Sequence, residues 1–181
     1  IDTGDAPAYD SAAMHAPLPE RIEVERAVAT GRVYAGSVPL SAMPRLASLL
    51  ADDRGEVRYQ LKFGRNAIHQ KMVEVHAQTG LPLICQASLE RFELPVEVEA
   101  RLGFVRDESD EAGLPEGYEA ALTDEGFVDP LALIEDELIL AVPVIPRNPD
   151  VATMQPAPAP ELEADAGRPN PFAALSGLKR K

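Results

Sequence analysis

From Glu56 onward the apolar residues recur at every second position. Val57, Tyr59, Leu61 and Phe63 alternate with Glu56, Arg58, Gln60 and Lys62 up to Gly64-Arg65-Asn66. A period of two sends one set of side chains to each face of an extended chain, so the segment predicts a half-buried strand. Residues 68–78, 81–86 and 91–105 continue the pattern, with breaks expected at Thr79-Gly80 and near Ser88. In the last of these, Phe92, Leu94, Val96, Val98, Ala100, Leu102 and Phe104 share one parity, while Glu93, Glu97, Glu99 and Arg101 hold the other. One wet face excludes the interior of a parallel sheet covered on both sides. Four such segments with short breaks predict an antiparallel meander.

The flanks supply helices. Residues 20–29 carry Ile22, Val28 and Ala29 among charges and are followed by Gly31, which suits a short helix stopped in the left-handed conformation; Val24 breaks the period and leaves a strand open. Residues 32–40 read as extended. Ser41 is placed to cap a helix over 42–51, with Met43, Leu46 and Leu50 at helical spacing and Pro44 in its first turn. The expected class is α+β: an antiparallel meander of about four to five strands packed against two to three helices.

Residues 107–137 hold twelve acids and no Lys or Arg, interrupted by Gly113-Leu-Pro115 and Gly117-Tyr118, and predict a solvated loop or loose helix. Within them Asp129 is a good N-cap with Pro130 at the first helical position. A helix from 130 to about 138 follows, with Leu131, Ile134 and Leu138 on one face. Pro143 pushes Val142 toward an extended form. This run sets Glu135, Asp136 and Glu137 inside very apolar surroundings, and an unpaired carboxylate is costly to bury. The three acids are therefore expected to form a rim that faces solvent or a partner.

Pro149, Pro156, Pro158 and Pro160 with small and acidic residues describe a flexible arm over 147–169. Asn170-Pro171 then resembles a cap and first turn, and Phe172, Leu175 and Leu178 stand at helical spacing before Lys179, Arg180 and Lys181. A short tail helix with a basic end over 170–181 either docks on its own domain or serves as a tethered binding segment. The division expected is thus 1–13 as an expression scar, small and polar and ahead of Met14; 14–146 as a single α+β domain; the arm; and the tail.

Chemistry finds little purchase. One cysteine and three histidines fall short of a zinc site, and His69 and His76 have opposite parity in one expected strand. Cys85 reads as a small buried core residue, and its isolation fits a reducing cytosol. There is no Gly-x-Ser-x-Gly elbow, phosphate-binding glycine loop or dinucleotide fingerprint. Glu135 and Asp136 as Mg²⁺ ligands of a nuclease is a minor alternative to a solvated helix face. No catalytic residue, cofactor or metal is expected. A net charge of -13 disfavours a broad grip on nucleic acid and favours a basic protein ligand. Direct RNA binding remains as an alternative through Arg58, Lys62, Arg65 and Lys71 on the sheet, with Tyr34, Tyr59 and Phe63 as the few stacking candidates. The terminal cluster of three cations alone would give a salt slope of roughly -2 on single strands, a weak anchor. The absence of an eighteen-residue apolar run or charged leader points away from membrane and secretion.

Two blocks carry a resemblance. Ile134-Glu-Asp-Glu-Leu-Ile-Leu-Ala-Val-Pro-Val-Ile-Pro146 and Pro169-Asn-Pro-Phe-Ala-Ala-Leu-Ser-Gly-Leu-Lys-Arg-Lys181 are similar to those of the YceD family, the large ribosomal RNA subunit accumulation proteins. The order of the alternating region, cysteine-bearing turn, acidic segment and proline-bearing arm agrees too. The resemblance implies a role in synthesis, processing or stability of 23S ribosomal RNA in the bacterial cytosol, with that RNA or its precursor as a partner and no defined catalytic residue; the acid-rich surface, for its part, suggests contact through a basic ribosomal or rRNA-processing protein. Many members carry a Cys-x-x-Cys turn with further Cys or His after the proline-flanked run, suggestive of a metal knuckle. Here the turn reads Cys85-Gln86-Ala87-Ser88, and 147–153 offers no ligand, so the metal does not transfer.

Overall fold

A computed structural model describes residues 18–150. The chain separates into two units, Ile1–Asn148 and Pro149–Lys181, and every element below belongs to the first. In chain order these are β1 (Ile22–Glu23), α1 (Val24–Ala29), β2 (Val33–Pro39), α2 (Pro44–Ala47), β3 (Glu56–Arg65), β4 (Lys71–Ile84), β5 (Arg91–Val105), β6 (Glu119–Leu122), β7 (Phe127–Val128) and α3 (Pro130–Ala141). Single 3₁₀ turns cover Leu40–Ala42 and Glu108–Gly113.

The α+β class is as the alternation predicts, with one correction. Strands β2 to β5 form the antiparallel meander, but the fifth strand, β6, joins β5 in parallel, so the sheet is mixed in the order β2-β3-β4-β5-β6. A parallel neighbour needs a crossover of about a dozen residues. Residues 106–118 supply it, and β6 itself lies in the acidic segment 107–137 that was expected to be mostly a solvated loop or loose helix.

Within the sheet the two faces sort as the sequence predicts. Val57, Leu61 and Phe63 of β3 and Val73, Val75, Leu81 and Leu83 of β4 are at most 1 % exposed. They meet Leu40, Met43 and Leu46 before and within α2 and Ile134 and Leu138 of α3, all fully buried. Each such Leu or Ile removed from water stabilises the fold by about 2 kcal/mol. Phe63 stacks on Phe104 at 5.9 Å and takes the edge of Tyr34 at 5.9 Å, joining β2, β3 and β5 in one cluster. The opposite face carries rows of polar residues set by register: Arg58 beside Gln78 beside Glu97, Gln60 beside His76 beside Glu99, Lys62 beside Glu74 beside Arg101.

Three local expectations change. Thr79-Gly80 does not break a strand, because β4 runs unbroken through it. The exposed Glu93 side chain of β5 lies over Gly80, and a Cβ there would require that flexible side chain to swing aside. The turn between β3 and β4 sits at 66–70. Asn66 Oδ1 accepts the N–H groups of Ile68 at 3.1 Å and Gln70 at 2.9 Å there. His69 adopts φ 64° in that turn, so it does not share a strand with His76. The helix expected over 42–51 shortens to α2, whose N-cap is Met43 rather than Ser41.

At the N-terminal end both readings of Val24 are partly right. Ile22–Glu23 pairs with Phe127–Val128 as a two-stranded sheet, and Val24 then opens α1 as a buried residue. Gly31 follows with φ +56°, the left-handed position that ends the helix.

Candidate partner-binding surface

The helix α3 is built as the sequence says it should be. Asp129 Oδ1 accepts the N–H groups of Leu131 at 2.8 Å and Ala132 at 3.1 Å, and Pro130 takes the first helical position, where no donor is missed. At its other end Val142 turns extended ahead of Pro143.

Its acids do not form the outward rim. Glu135 is 5 % exposed and Glu137 7 %, while Asp136 is exposed. Glu135 points at the start of α2: its Oε1 accepts the backbone N–H groups of Arg45 at 2.7 Å and Leu46 at 3.0 Å, and its Oε2 accepts Arg45 Nε at 2.9 Å. Helix α2 has no side-chain cap of its own, so a carboxylate from 90 residues away supplies one. Asp136 Oδ1 accepts Arg45 Nη1 at 2.6 Å on the surface. Both acids hold the Arg45 guanidinium above its ordinary pKa, Glu135 the more strongly.

The partner-facing expectation for Glu135 therefore loses its ground, since its oxygens are already engaged. Arg45 was not singled out from sequence, and nothing adjacent to it signals the link. Glu135 does carry a signal: it follows Leu131 by four and precedes Leu138 by three, which places it in the same helical stripe as Ile134. Glu137 is different again. Burial, then the charges of Glu119 and Asp136, push its carboxyl up to about 7.

What the run exposes is partly apolar. Leu140 is 71 % exposed, Val144 94 % and Ile145 54 %, just beyond the buried turns of α3. The backbone here is tied down: Gln86 N–H donates to Pro146 O at 2.9 Å, and Asn148 N–H points at Cys85 Sγ at 3.3 Å. Cys85 itself is buried, and the Asn148 N–H, followed by Ser88, lowers its thiol to about 7. One thiol facing a backbone N–H donor and a serine does not fit a tetrahedral metal, which needs about four soft or imidazole ligands.

Around this helix the acidic segment lies open. Asp107, Asp110, Glu111, Glu116, Glu119 and Glu125 are exposed and make no ion pair among the described residues. Among the described residues, Asp124 and Asp136 in the segment's exposed set do meet cations, Arg21 at 2.8 Å and Arg45 at 2.6 Å.

The basic strip is distributed otherwise. Lys62 pairs with Glu74 at 3.0 Å, and Arg65, at 3.5 Å, and Lys71 both pair with Glu25. Lys71 is the first cause that lowers the Glu25 carboxyl below its usual range. Arg58 and Lys62 stand on the polar sheet face, whereas Arg65 and Lys71 are register partners at the strand end, so the four do not make one strip. Glu25, Lys71, Arg106, Phe104 and Phe127 line a cleft of about 570 Å³ beside β1 and β7 in which both charge signs are present.

His76, Glu97 and Glu99 place ligand atoms within 4.8 Å of one another across β4 and β5. His76 Nε2 is 3.0 Å from Glu97 Oε1, and Gln78 Nε2 donates to the same oxygen at 2.6 Å. His76 and then Gln78 hold the Glu97 carboxyl below its ordinary range, so cross-strand pairing accounts for the geometry. Phe172, Leu175, Leu178, Lys179, Arg180 and Lys181 lie outside the described residues, as do positions 1–13. No helix among the described residues is long and apolar enough to cross a membrane.

Residues 73–179 match the family described as large ribosomal RNA subunit accumulation protein YceD. A protein of that description from Haemophilus influenzae is 29 % identical over 153 residues, spanning 82 % of this chain and 88 % of the relative. No solved structure matches the chain.

Proposed function

Because this chain belongs to the YceD family of large ribosomal RNA subunit accumulation proteins, we propose that it is a non-catalytic factor for the synthesis, processing or stability of 23S ribosomal RNA in large-subunit assembly. It acts in the bacterial cytoplasm by holding a basic ribosomal or rRNA-processing protein. The observation that carries the partner's chemistry is the acidic segment, whose exposed carboxylates Asp107, Asp110, Glu111, Glu116, Glu119 and Glu125 have no counter-cation on the described chain. Such a field repels phosphate and steers a cationic protein surface toward it. Leu140, Val144 and Ile145 give the same partner apolar area to bury. Asp136 and the tail residues Phe172, Leu175, Leu178, Lys179, Arg180 and Lys181 remain candidates for that contact.

Direct RNA binding draws less support, since Lys62, Arg65 and Lys71 already meet acids. In bacterial cells whose own copy is replaced by the full chain carrying Asp110→Asn, Glu111→Gln, Glu116→Gln and Glu119→Gln, the ratio of 23S to 16S ribosomal RNA should fall. The far-UV circular dichroism of the purified variant should match the parent. An unchanged ratio from a folded variant would remove the acidic segment from the mechanism.

A further inference from the structure

Strand β5 is 15 residues long, yet β6 covers only its last part, pairing with 102–105. On that same side, among the described residues, no strand pairs with 91–101, and no backbone hydrogen bond outside the β4 ladder involves them. Pro95 offers no N–H, which limits the usable edge to the stretch from Val96 to Arg101. An edge of this kind is a template for an added strand unless charge defends it.

The side chains along it are sorted. Val96, Val98 and Ala100 are half-buried against the core on the helix-covered face. Glu97 and Glu99 stand exposed on the polar face, with side chains 60 % and 81 % accessible. Two copies paired antiparallel about Val98 would set Glu97 of one against Glu99 of the other, and like charges directly opposite are unfavourable. The edge is therefore defended against itself but not against a strand of opposite charge.

We propose that this edge takes up an extended segment of a protein partner in which apolar and basic residues alternate. Its main chain would extend the sheet in line with β6, its apolar side chains would cover Val96, Val98 and Ala100, and its cations would lie opposite Glu97 and Glu99. The proposal rests on the reading of a basic protein partner and specifies how part of that partner is held.

The probe is the synthetic peptide Lys-Val-Lys-Val-Lys-Val, titrated into the isotopically labelled full chain and followed by amide shifts and hydrogen exchange. Saturable shifts confined to 96–101 and about tenfold slower exchange there are expected. The double variant Glu97→Lys, Glu99→Lys should weaken binding by roughly fivefold or more, and Glu99→Pro should abolish it by removing an edge donor, since the Glu99 N–H faces away from β4. Should Glu99→Pro fail to fold, the double variant decides alone, because both of its positions are exposed. Shifts confined to 107–129, or binding indifferent to the double variant, would overturn the proposal. Slow exchange at 96–101 without peptide, together with a doubled mass in sedimentation, would overturn it in favour of a second copy. Neutralising the acidic segment can still lower 23S ribosomal RNA when this edge test fails, so the two readings fall separately.

Discussion

Replacing Glu135 by Ala removes the acceptor that two backbone donors share. The Leu46 N–H lies under a fully buried side chain, and a donor left unpaired there costs about 1–3 kcal/mol. The Arg45 N–H is nearer to solvent and can regain water, but losing the cap of α2 adds about 1 kcal/mol. A total of about 3 kcal/mol follows, a fall in Tm of roughly 6–12 °C for a chain of this size. Glu135→Gln keeps one acceptor oxygen and should cost about 1 kcal/mol, the increment of charge in a hydrogen bond. Asp136→Ala loses only an ion pair whose partners are 53 % and 54 % exposed, so it should cost less than about 0.5 kcal/mol. Urea unfolding of the full chain at pH 7, followed by far-UV circular dichroism, reads all three. Equal losses for Glu135→Ala and Asp136→Ala would refute the cap and return Glu135 to the surface.

Glu137→Gln should stabilise the fold at neutral pH. The native carboxyl titrates near 7 against an ordinary 4.5, so between those values the folded state keeps a proton that the unfolded chain releases, and stability falls as pH rises through that window. The loss is at most about 3 kcal/mol above pH 7 and absent below pH 4.5, and the variant should flatten urea midpoints measured from pH 4.5 to 8; an unchanged slope would show that Glu137 is solvated. Deleting residues 170–181 is expected to weaken capture of the partner while the urea midpoint of the chain holds, and undiminished capture would remove the tail from the contact.

The alternation of 56–105 was legible because each strand has one wet face, so parity and burial coincide along Val57, Leu61, Val73 and Leu102. Strand β6 was hidden because Glu119-Ala-Ala-Leu122 is too short to show a period and sits among acids. Gly80 reads as a punctuation mark until Glu93 on the neighbouring strand is placed over it. The cap of α2 could not be found locally, since Ser41 is a good capping residue and the group that does the capping is on another helix. The three acids in the run share a charge but not a position: one helical turn sends Glu135 inward to α2, leaves Asp136 outside and sets Glu137 beside Glu119. Their apolar neighbours Leu140, Val144 and Ile145, which composition alone would place in the core, are the ones that reach solvent.

The most direct test of a protein-mediated role is to isolate the full chain from cells with its bound material, treat half with ribonuclease, and wash both halves at low and high salt. Retention of a basic protein after ribonuclease, with release as salt screens the exposed carboxylates, is the predicted result. Loss of all bound protein on ribonuclease treatment alone would contradict it and make RNA the ligand.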